Sequence, residues 1–372
     1  MSWWIQTLKL SVNLMKVAFR TDASNQIGTG HFMRCLTLAE GLKKQGADIR
    51  FISRDLPAHL SDILNTKSIE LIPLSVHDLT ATIDELAHAS WLGVNQAQDA
   101  KASIDALFGQ EFDWIVVDHY ALDLRWESVT RQHVKKIMVI DDLADRHHDC
   151  DILLDQNHYA DMQVRYGDKV PAHCQLLLGP NYALLREEFR TFREQVKVRN
   201  GEVKKVLVFF GGVDLNNYTL QAIEALSEID AGLQVDVVIG AQHPSKELIE
   251  NACAKYGYIF HVQTSCMAQL MFQADLAIGA GGSASWERCS LGLPSLLVAM
   301  ADNQIAIAKE LSAVNACIYM GNADKVNLLN LKKWVTELIA NPDRIRTISE
   351  SAFSIVDGLG VYRVSEEMRV CL

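Results

Sequence analysis

The sequence contains no apolar run that approaches the ~20 residues a membrane helix requires. It also has no cluster of lysine and arginine, and its formal net charge is -11. This argues against nucleic acid as the main partner, because binding a phosphate backbone needs a basic surface. The eight cysteines are scattered without a CxxC pair, so neither a disulfide framework nor a zinc ribbon is predicted. We expect reduced thiols and a cytoplasmic protein with no membrane partner.

Several common catalytic signatures are also missing. The sequence has no GxSxG, no GxxxxGK[ST] and no HExxH. A dinucleotide-binding GxGxxG is absent too, because Met33 stands where the third glycine would be. The segment His147-His148-Asp149-Cys150-Asp151 could suggest a metal site, but neighbouring ligands that lead into a strand alternate between its faces. We interpret this segment as a polar edge loop and expect neither a metal nor a cofactor.

What the sequence does contain is a globular composition long enough for two domains. Of its 372 residues, 49% are hydrophobic and 22% charged, which is typical of a packed core. Met15 directly precedes the first strand-like run, so residues 1–14 are interpreted as an N-terminal extension. The opening residues lack the basic region of a signal peptide.

Short β-branched runs alternate with helical patterns, which predicts right-handed βαβ crossovers and parallel sheets. In the first half we predict strands at 16–21, 48–53, 69–74, 114–118, 136–140, 152–154 and 175–178, and helices at 30–45, 77–90 and 98–109. The pattern restarts at 204–210 and continues with strands at 234–239, 258–262, 276–279, 295–299 and 316–319.

The sequence therefore predicts an α/β protein with two doubly wound Rossmann-like domains facing a cleft. We expect these domains at 15–182 and 203–345, joined by a solvated linker helix over 183–202. Residues 346–372 are expected to form a helical segment that packs back on the first domain. Ligands of such sheets bind beyond the carboxyl ends of the strands.

The most informative segment, Gln26–Cys35, follows the first strand and contains a GxGH sequence. Gly28 and Gly30 let the backbone turn tightly and approach a ligand. A helix that begins near Gly30 directs free N–H groups into this turn. His31 can reach a substrate from there and act as a base near neutral pH. A glycine turn followed by an ordinary histidine is the alternative interpretation.

A second small-residue turn, Gly279–Ser285, ends a buried strand in the other half. Its glycines, hydroxyls and unpaired N–H groups suit a diphosphate. Glu287 falls near the first turn of the following helix, where a carboxylate can accept hydrogen bonds from ribose hydroxyls. The alternative is an N-capped helix whose first-turn acid is favoured by the helix dipole.

Polar residues end other strands on the same edge. Asp302, Asn303 and Gln304 could meet sugar hydroxyls or amides, and Asp302 could instead be a helix N-cap. The turns Gly211–Asp214 and Gly240–His243 close two further strands. Four such turns in one half exceed what connecting the strands requires.

In the first half, one strand ends in Asp118-His119-Tyr120. Asp118 could orient a neighbouring imidazole or bind the substrate, and Tyr120 could hydrogen-bond a leaving-group or amide oxygen. A purely structural role for these three residues is the alternative.

Taken together, these motifs resemble the UDP-2,4-diacetamido-2,4,6-trideoxy-β-L-altropyranose hydrolases of pseudaminic acid biosynthesis. The resemblance runs from about Met15 to the carboxyl terminus. It is carried by Phe19–Ser24, Gln26–His31, Asp118–Tyr120, Asp141-Asp142, Cys150–Asn157, Leu178–Phe189, Gly211–Asp214, Gly279–Arg288 and Ala301–Gln304. Ala284 departs from the pattern, since many relatives are expected to have threonine there.

The resemblance implies a GT-B-like fold, with His31 at the catalytic histidine position, UDP held by the second domain and the sugar facing the first. The predicted substrate-binding residues are Arg20, Asp22, Gly28, Gly30, Arg34, Asp118, Tyr120, Gly211, Gly212, Asp214, Gly281, Gly282, Ser283, Ser285, Glu287, Asp302, Asn303 and Gln304.

The implied reaction is metal-independent hydrolysis at the anomeric carbon by a water that His31 activates, with inversion and release of UDP. A base of this kind contributes roughly 10²–10⁴-fold, and helix N-termini can stabilise the departing diphosphate. A glycosyltransferase of the same fold and a non-catalytic nucleotide-sugar binding protein are the alternatives. We expect a monomer whose product serves flagellin glycosylation or a cell-surface polysaccharide.

Overall fold

Two parallel β-sheets organise the computed structural model, which describes residues 14–24, 26–75, 84–212 and 214–372. The first sheet contains β1 (Lys16–Thr21), β2 (Asp48–Ser53), β3 (Glu70–Pro73), β4 (Phe112–Asp118), β5 (Val134–Ile140), β6 (Ile152–Asp155) and β7 (Gln175–Leu178). Their spatial order is β3-β2-β1-β4-β5-β6-β7, and every neighbouring pair is parallel.

Helices cover this sheet because their apolar residues recur on one side. They are α1 (Gly30–Lys44), α2 (Ala58–Thr66), α3 (Gln96–Leu107) and α4 (Leu124–Thr130), with short 3₁₀ turns at Ala89–Leu92, Arg131–His133 and Pro180–Tyr182. In α1, Phe32 packs on the ring of Phe51 at a centroid distance of 5.6 Å, and Phe51 in turn stacks on Phe19 of β1 at 5.0 Å. This packing anchors the first turn of α1 above the carboxyl end of β1.

The second sheet repeats the arrangement. It contains β8 (Lys205–Phe209), β9 (Gln234–Ile239), β10 (Ile259–Val262), β11 (Leu276–Ala280), β12 (Ser295–Ala299) and β13 (Ile318–Asn322), all parallel, in the order β10-β9-β8-β11-β12-β13. The helices of this half are α5 (Glu187–Arg193), α6 (Tyr218–Ser227), α7 (Lys246–Tyr256), α8 (Met267–Gln273), α9 (Ala284–Ser290), α10 (Asp302–Ala313), α11 (Leu328–Ile339) and α12 (Pro342–Ile355), with a 3₁₀ turn at Ala323–Lys325.

The last helix, α13 (Gly360–Val370), returns to the first sheet. Val364 and Met368 are fully buried within the apolar core around β1 and α1. The indole Nε1 of Trp114 donates a hydrogen bond of 3.1 Å to the carbonyl oxygen of Met368. A glycine is required at Gly360, because a Cβ there would lie 2.2 Å from the carbonyl oxygen of Ala183. The carboxyl-terminal helix is thus part of the first globular unit.

The strand order of both sheets reverses at one point. In the first sheet the chain runs outward from β1 in one direction and later resumes from β4 on the other side, and β8 and β11 form the same junction in the second. At such a junction the connecting loops diverge and leave a crevice beyond the carboxyl ends of the two strands. The GxGH turn follows β1 and Asp118 ends β4, so both predicted elements of the first half flank one crevice.

The connection between the two sheets differs from the predicted linker helix over 183–202. Only α5 is helical, and the fully buried side chain of Phe189 packs into the second core instead of facing solvent. Beyond α5, the guanidinium of Arg199 donates to backbone carbonyls of Met271, Phe272, Ala274 and Leu291, which fixes this stretch to the second half of the chain. The connection is therefore a mostly irregular segment that packs against the second core.

The predicted helix at 77–90 is wrong where it can be compared. Residues 76–83 lie outside the described part of the chain. Residues 84–88 are not helical, and the 3₁₀ turn Ala89–Leu92 follows them.

Candidate active site

At the first crevice, His31 and Asp118 form a hydrogen bond with each other. His31 lies in the first turn of α1, after a turn in which Gly28 has a φ of +79°. Asp118 is the last residue of β4 and pairs in register with Thr21 of β1. The Nδ1 atom of His31 lies 2.6 Å from Oδ1 of Asp118. The predicted orienting role of Asp118 therefore has the required geometry.

The hydrogen of this imidazole can be assigned from its neighbours. Two groups lie near Nδ1: a carboxylate oxygen of Asp118 at 2.6 Å, which is an acceptor, and Nη2 of Arg34 at 3.2 Å, which donates to Asp118 at 2.7 Å. The closer acceptor decides the tautomer, so Nδ1 carries the hydrogen and donates it. In the neutral ring Nε2 is then the acceptor, with a free lone pair. Nε2 has no hydrogen-bond partner among the residues that the structure describes. The His31 side chain is 9% exposed, so this edge of the ring is the part available to a ligand.

Arg34, one turn further along α1, keeps Asp118 charged. Its Nε and Nη2 atoms lie 2.6 and 2.7 Å from the two oxygens of Asp118, and Nη1 lies 2.9 Å from Asp142. Burial alone would raise the pKa of Asp118, but Arg34 and His31 outweigh it and lower that pKa below its ordinary value. Asp118 is therefore a permanent anion behind the histidine.

Aromatic rings surround the other edge of His31. The ring of Tyr120 meets it edge-on at a centroid distance of 4.5 Å, and the hydroxyl of Tyr120 donates to Asp142. Trp91 stacks on Tyr120 at 5.6 Å and 29°, and His88 contacts both rings. Tyr120 was predicted from the sequence as a site residue, and Asp142 belongs to the Asp141-Asp142 pair that carries the resemblance, without a role assigned to it. Trp91 and His88 were not predicted.

Arg20, Asp22 and Asp118, which were predicted to bind the substrate, all have buried side chains in this structure. Arg20 donates to Asp22 at 2.7 Å and to both oxygens of Asp99, at 3.0 and 2.8 Å. Asp22 also accepts the backbone N–H of Arg54 at 2.7 Å. These ion pairs hold the loops that follow β1 and β2, beneath the GxGH turn.

Arg34 is also buried. Its guanidinium binds Asp118 and Asp142, and its side chain is only 8% exposed. By contrast, Gly28 and Gly30 are exposed, and a Cβ at either would meet no atom within 4 Å. The outer surface of the GxGH turn is therefore open to a ligand.

In the second sheet, glycine is required at position 279, where two strand ends lie very close together. A Cβ at Gly279 would lie 1.9 Å from the carbonyl oxygen of Phe209, so β11 and β8 can adjoin at their ends only with glycine there. Gly211 has a φ of +99°, and a Cβ at Gly211 or Gly212 would meet nothing within 4 Å. The predicted glycine contacts to a ligand are thus sterically free at this crevice.

The turn after β11 is partly filled by Gln304. Its Oε1 atom accepts the N–H of Met300 at 3.0 Å, and its Nε2 atom would lie 3.5 Å from a Cβ at Gly282. Ser283 is exposed at the N-cap of α9 without a side-chain capping bond. Gly282, Ser283 and the Gln304 amide therefore form one small polar surface.

Two of the residues predicted to bind a ligand in this half, Asp214 and Ser285, have buried side chains that bind other residues of the protein. Asp214 accepts the backbone N–H and the hydroxyl of Thr219, at 2.7 and 2.9 Å, and so secures the start of α6. The Ser285 hydroxyl lies 3.1 Å from Nη2 of Arg288. Asp302 and Asn303 are exposed, and Asp302 is the first residue of α10 rather than its cap.

Glu287 lies on α9 beside the connection between the sheets. Its Oε1 atom is 3.3 Å from Nη2 of Arg186, whose Nη1 atom lies 2.9 Å from Glu188. Burial raises the pKa of Glu287 above its ordinary value, and Arg186 opposes this rise. The carboxylate keeps 20% exposure and thus remains within reach of a ligand.

The carboxyl edges of the two sheets meet. The indole Nε1 of Trp286 on α9 donates to Oδ1 of Asn157, which follows β6, at 3.1 Å. Gln156, its neighbour, accepts the N–H of Leu184 at 3.1 Å. Since His31 lies on the same edge as Asn157, the histidine and the glycine-serine turn of α9 belong to one cleft.

The polar segment 147–151 is occupied by ion pairs. Arg131 lies 2.9 Å from both Asp149 and Asp151, and His148 Nδ1 lies 2.8 Å from Glu127. Within the described ranges, no group of three or more histidine, cysteine or acidic residues is arranged to hold a metal ion. None of the helices described is both long and apolar enough to cross a bilayer.

The fold and the cleft define a GT-B protein. Residues 206–359 match the glycosyltransferase family 28 C-terminal domain. The structure is similar to that of MurG from Acinetobacter baumannii, with a TM-score of 0.65 and 14% identity over 96% of this chain and 99% of the other. The predicted GT-B-like arrangement of two Rossmann-like domains is confirmed.

Within that fold, the predicted resemblance is also confirmed. The chain is 28% identical to the UDP-2,4-diacetamido-2,4,6-trideoxy-β-L-altropyranose hydrolase of Campylobacter jejuni subsp. jejuni, over 72% of this chain and 86% of the relative. It is 22% identical to the spore coat polysaccharide biosynthesis protein SpsG of Bacillus subtilis, over 94% and 97% of the two chains.

Proposed function

We propose that this protein hydrolyses UDP-2,4-diacetamido-2,4,6-trideoxy-β-L-altrose to UDP and free 2,4-diacetamido-2,4,6-trideoxy-L-altrose. The observation that carries this proposal is the buried Asp118–His31 pair, in which Asp118 binds Nδ1 and leaves Nε2 of the imidazole at the cleft. The similarity to the Campylobacter hydrolase supports the choice of substrate.

His31 acts as the general base in this reaction. Nε2 accepts a proton from water as its oxygen attacks the anomeric carbon, while the C–O bond to the diphosphate breaks. Asp118, 2.6 Å from Nδ1, stabilises the imidazolium that forms. Because water attacks directly and no covalent intermediate forms, the anomeric configuration is inverted.

The second domain binds the nucleotide. The turn of Gly282 and Ser283 offers backbone N–H groups and a hydroxyl to the diphosphate, whereas the N–H of the buried Gly281 donates to the carbonyl oxygen of Val298 at 3.0 Å. Glu287 accepts hydrogen bonds from the ribose hydroxyls, and the exposed Asp302 and Asn303 lie at the rim. Dipoles and hydroxyls carry the charge of the leaving group, so no metal is required.

We further propose that the protein acts as a cytoplasmic monomer and that its product serves pseudaminic acid biosynthesis for a cell-surface glycan. All eight cysteines are free thiols, as a reducing compartment favours. A glycosyltransferase is the second candidate, because the matched C-terminal domain is named after a glycosyltransferase family.

One experiment separates these functions. Purified protein is incubated with the UDP-sugar and no acceptor, and ¹H NMR follows the anomeric protons. Free sugar plus UDP, with the inverted anomer appearing first, supports the hydrolase. Release of product only after an acceptor is added supports the transferase, and retention of configuration contradicts the mechanism. His133→Asn, at an exposed histidine of the 3₁₀ turn before β5, is the matched control for His31→Asn.

A further inference from the structure

Two aromatic side chains next to His31 have no role in the mechanism above. Trp91 lies on the 3₁₀ turn Ala89–Leu92 and His88 directly precedes it. The Trp91 ring stands at 71° to that of His31 with a centroid distance of 6.4 Å, and it stacks on Tyr120. We call His88, Trp91 and Tyr120 the aromatic wall.

The aromatic wall is only partly used by the protein itself. Tyr120 is 5% exposed and bound to Asp142, whereas Trp91 and His88 are half-buried. Leu92, at 2% exposure, anchors the turn in the core beside them. The indole N–H of Trp91 makes no hydrogen bond to the described residues. A large ring is therefore held firmly, with part of its surface and its donor open beside the catalytic base.

The chemistry of this surface favours methyl groups over hydroxyls. An indole face packs well on methyl and ring C–H groups, whose removal from water is favourable. A hydroxyl pressed against the same face loses its hydrogen bonds to water and gains no acceptor. The burial of the neighbouring His88 ring lowers its pKa, so this side of the wall is uncharged at neutral pH.

We propose that Trp91, backed by His88 and Tyr120, is a specificity-determining residue that contacts the C6 methyl and an acetamido methyl of the sugar. This rests on the proposed function, because it places the sugar beside His31. Trp91 then selects 6-deoxy, N-acetylated sugars against UDP-sugars that carry a hydroxyl at C6, such as UDP-N-acetylglucosamine.

The first test measures contact without catalysis. In a His31→Asn background, saturation-transfer NMR compares the sugar methyl protons of the bound UDP-diacetamido sugar with its uracil protons. We expect Trp91→Ala to lower the methyl-to-uracil ratio several-fold, while Trp334→Ala, which removes a half-buried indole from α11, leaves it unchanged. An unchanged ratio in Trp91→Ala overturns the proposal. If that variant does not fold, Trp91→Leu carries the same comparison.

The second test separates selection from simple packing on His31. We expect Trp91→Ala to lower the ratio of kcat/KM for the 6-deoxy substrate over UDP-N-acetylglucosamine by about 10-fold, mainly through KM, as the loss of one or two methyl contacts predicts. An equal fall in kcat for both substrates would mean that Trp91 only holds the base, and it would refute the proposal. Absence of hydrolysis by the wild-type protein refutes the proposed function alone, since the NMR contact does not depend on turnover.

Discussion

Replacing Asp155 by asparagine should stabilise the protein at high pH and have little effect at low pH. Asp155 ends β6 and is 1% exposed. The hydroxyl oxygen of Tyr166 lies 3.1 Å from Oδ2 of Asp155 and 3.1 Å from Oδ2 of Asp141. Since this hydroxyl has one hydrogen, it can donate to only one of the two carboxylates.

The neighbours decide which carboxyl group carries a proton. Burial alone would raise the pKa of Asp141, but Arg146, 2.8 Å away, outweighs it and lowers this pKa to about 2. Asp141 is therefore an anion, and Tyr166 donates its hydrogen to Asp141, whose Oδ2 and carbonyl oxygens both lie 3.1 Å from the hydroxyl. Burial, and then the charge of Asp142, raise the pKa of Asp155 from 3.8 to about 7. Below about pH 7, Asp155 is mainly a neutral acid that donates its own proton to the Tyr166 oxygen.

The magnitude follows from the linkage between proton binding and folding. Between about pH 4 and pH 7 the folded chain holds a proton on Asp155 that the unfolded chain has released, so stability falls as the pH rises. Below this range both states are protonated, and above it both are ionised and the penalty is complete. Since a tenfold change in proton affinity is worth about 1.4 kcal/mol, the rise from 3.8 to about 7 costs the wild type up to about 4 kcal/mol above pH 7.

Asparagine has the shape of the protonated acid but does not ionise. Its Oδ1 atom can still accept the N–H of Asn157, which lies 3.0 Å from Oδ1 of Asp155, and its amide N–H can donate to Tyr166. Thermal unfolding of Asp155→Asn and wild type is compared at about pH 5 and pH 8, with Asp168→Asn, at an exposed aspartate, as the control. A stability difference that does not grow with pH would refute the assignment of the proton.

Three further predictions concern the cleft. His31→Asn should nearly abolish turnover while calorimetry shows unchanged UDP binding, and wild-type turnover by a folded variant would remove His31 from catalysis. Activity should survive EDTA, because dipoles and hydroxyls stabilise the leaving group; loss on chelation that Mg²⁺ or Mn²⁺ restores would contradict this. Glu287→Ala should weaken binding of UDP by about 1.5–3 kcal/mol, as for a charge-assisted hydrogen bond, and less for 2′-deoxy-UDP. Equal losses for both ligands would mean that Glu287 serves only its helix.

The sheets could be predicted from the sequence because their strands are buried on both faces. Fully buried parallel strands appear as short β-branched runs, and such runs at 16–21, 48–53 and 234–239 match β1, β2 and β9 to the residue. Charge, in contrast, misled the prediction of the linker. Arg190 and Glu194 of that segment suggest a solvated helix. Phe189 packs into the second core, and this contact depends on tertiary structure that the local sequence does not reveal.

The site was predictable only in part, for a related reason. A histidine after a glycine turn can be recognised locally, and Asp118 was visible as a strand end. That β4 lies beside β1 is decided by the order of strands in the sheet, which no local pattern contains. The same holds for Arg20, whose partner Asp99 is 79 residues away. Trp91 was missed because its 3₁₀ turn shows no periodicity.

Both sheets form a crevice where their strand order reverses, but the charged groups at the two crevices differ. This difference suits ligand groups of different charge. At the first crevice, the buried carboxylates of Asp22 and Asp118 form ion pairs with arginines, which neutralise their charge inside the protein. At the second crevice, the turn of Gly282 and Ser283 leaves the backbone accessible and itself adds no negative charge, while the carboxylates of this half, Glu287 and Asp302, lie outside the turn. A diphosphate is repelled by carboxylates and attracted by free N–H groups. Physical chemistry therefore favours the nucleotide on the second sheet and the uncharged sugar, with its attacking water, on the first.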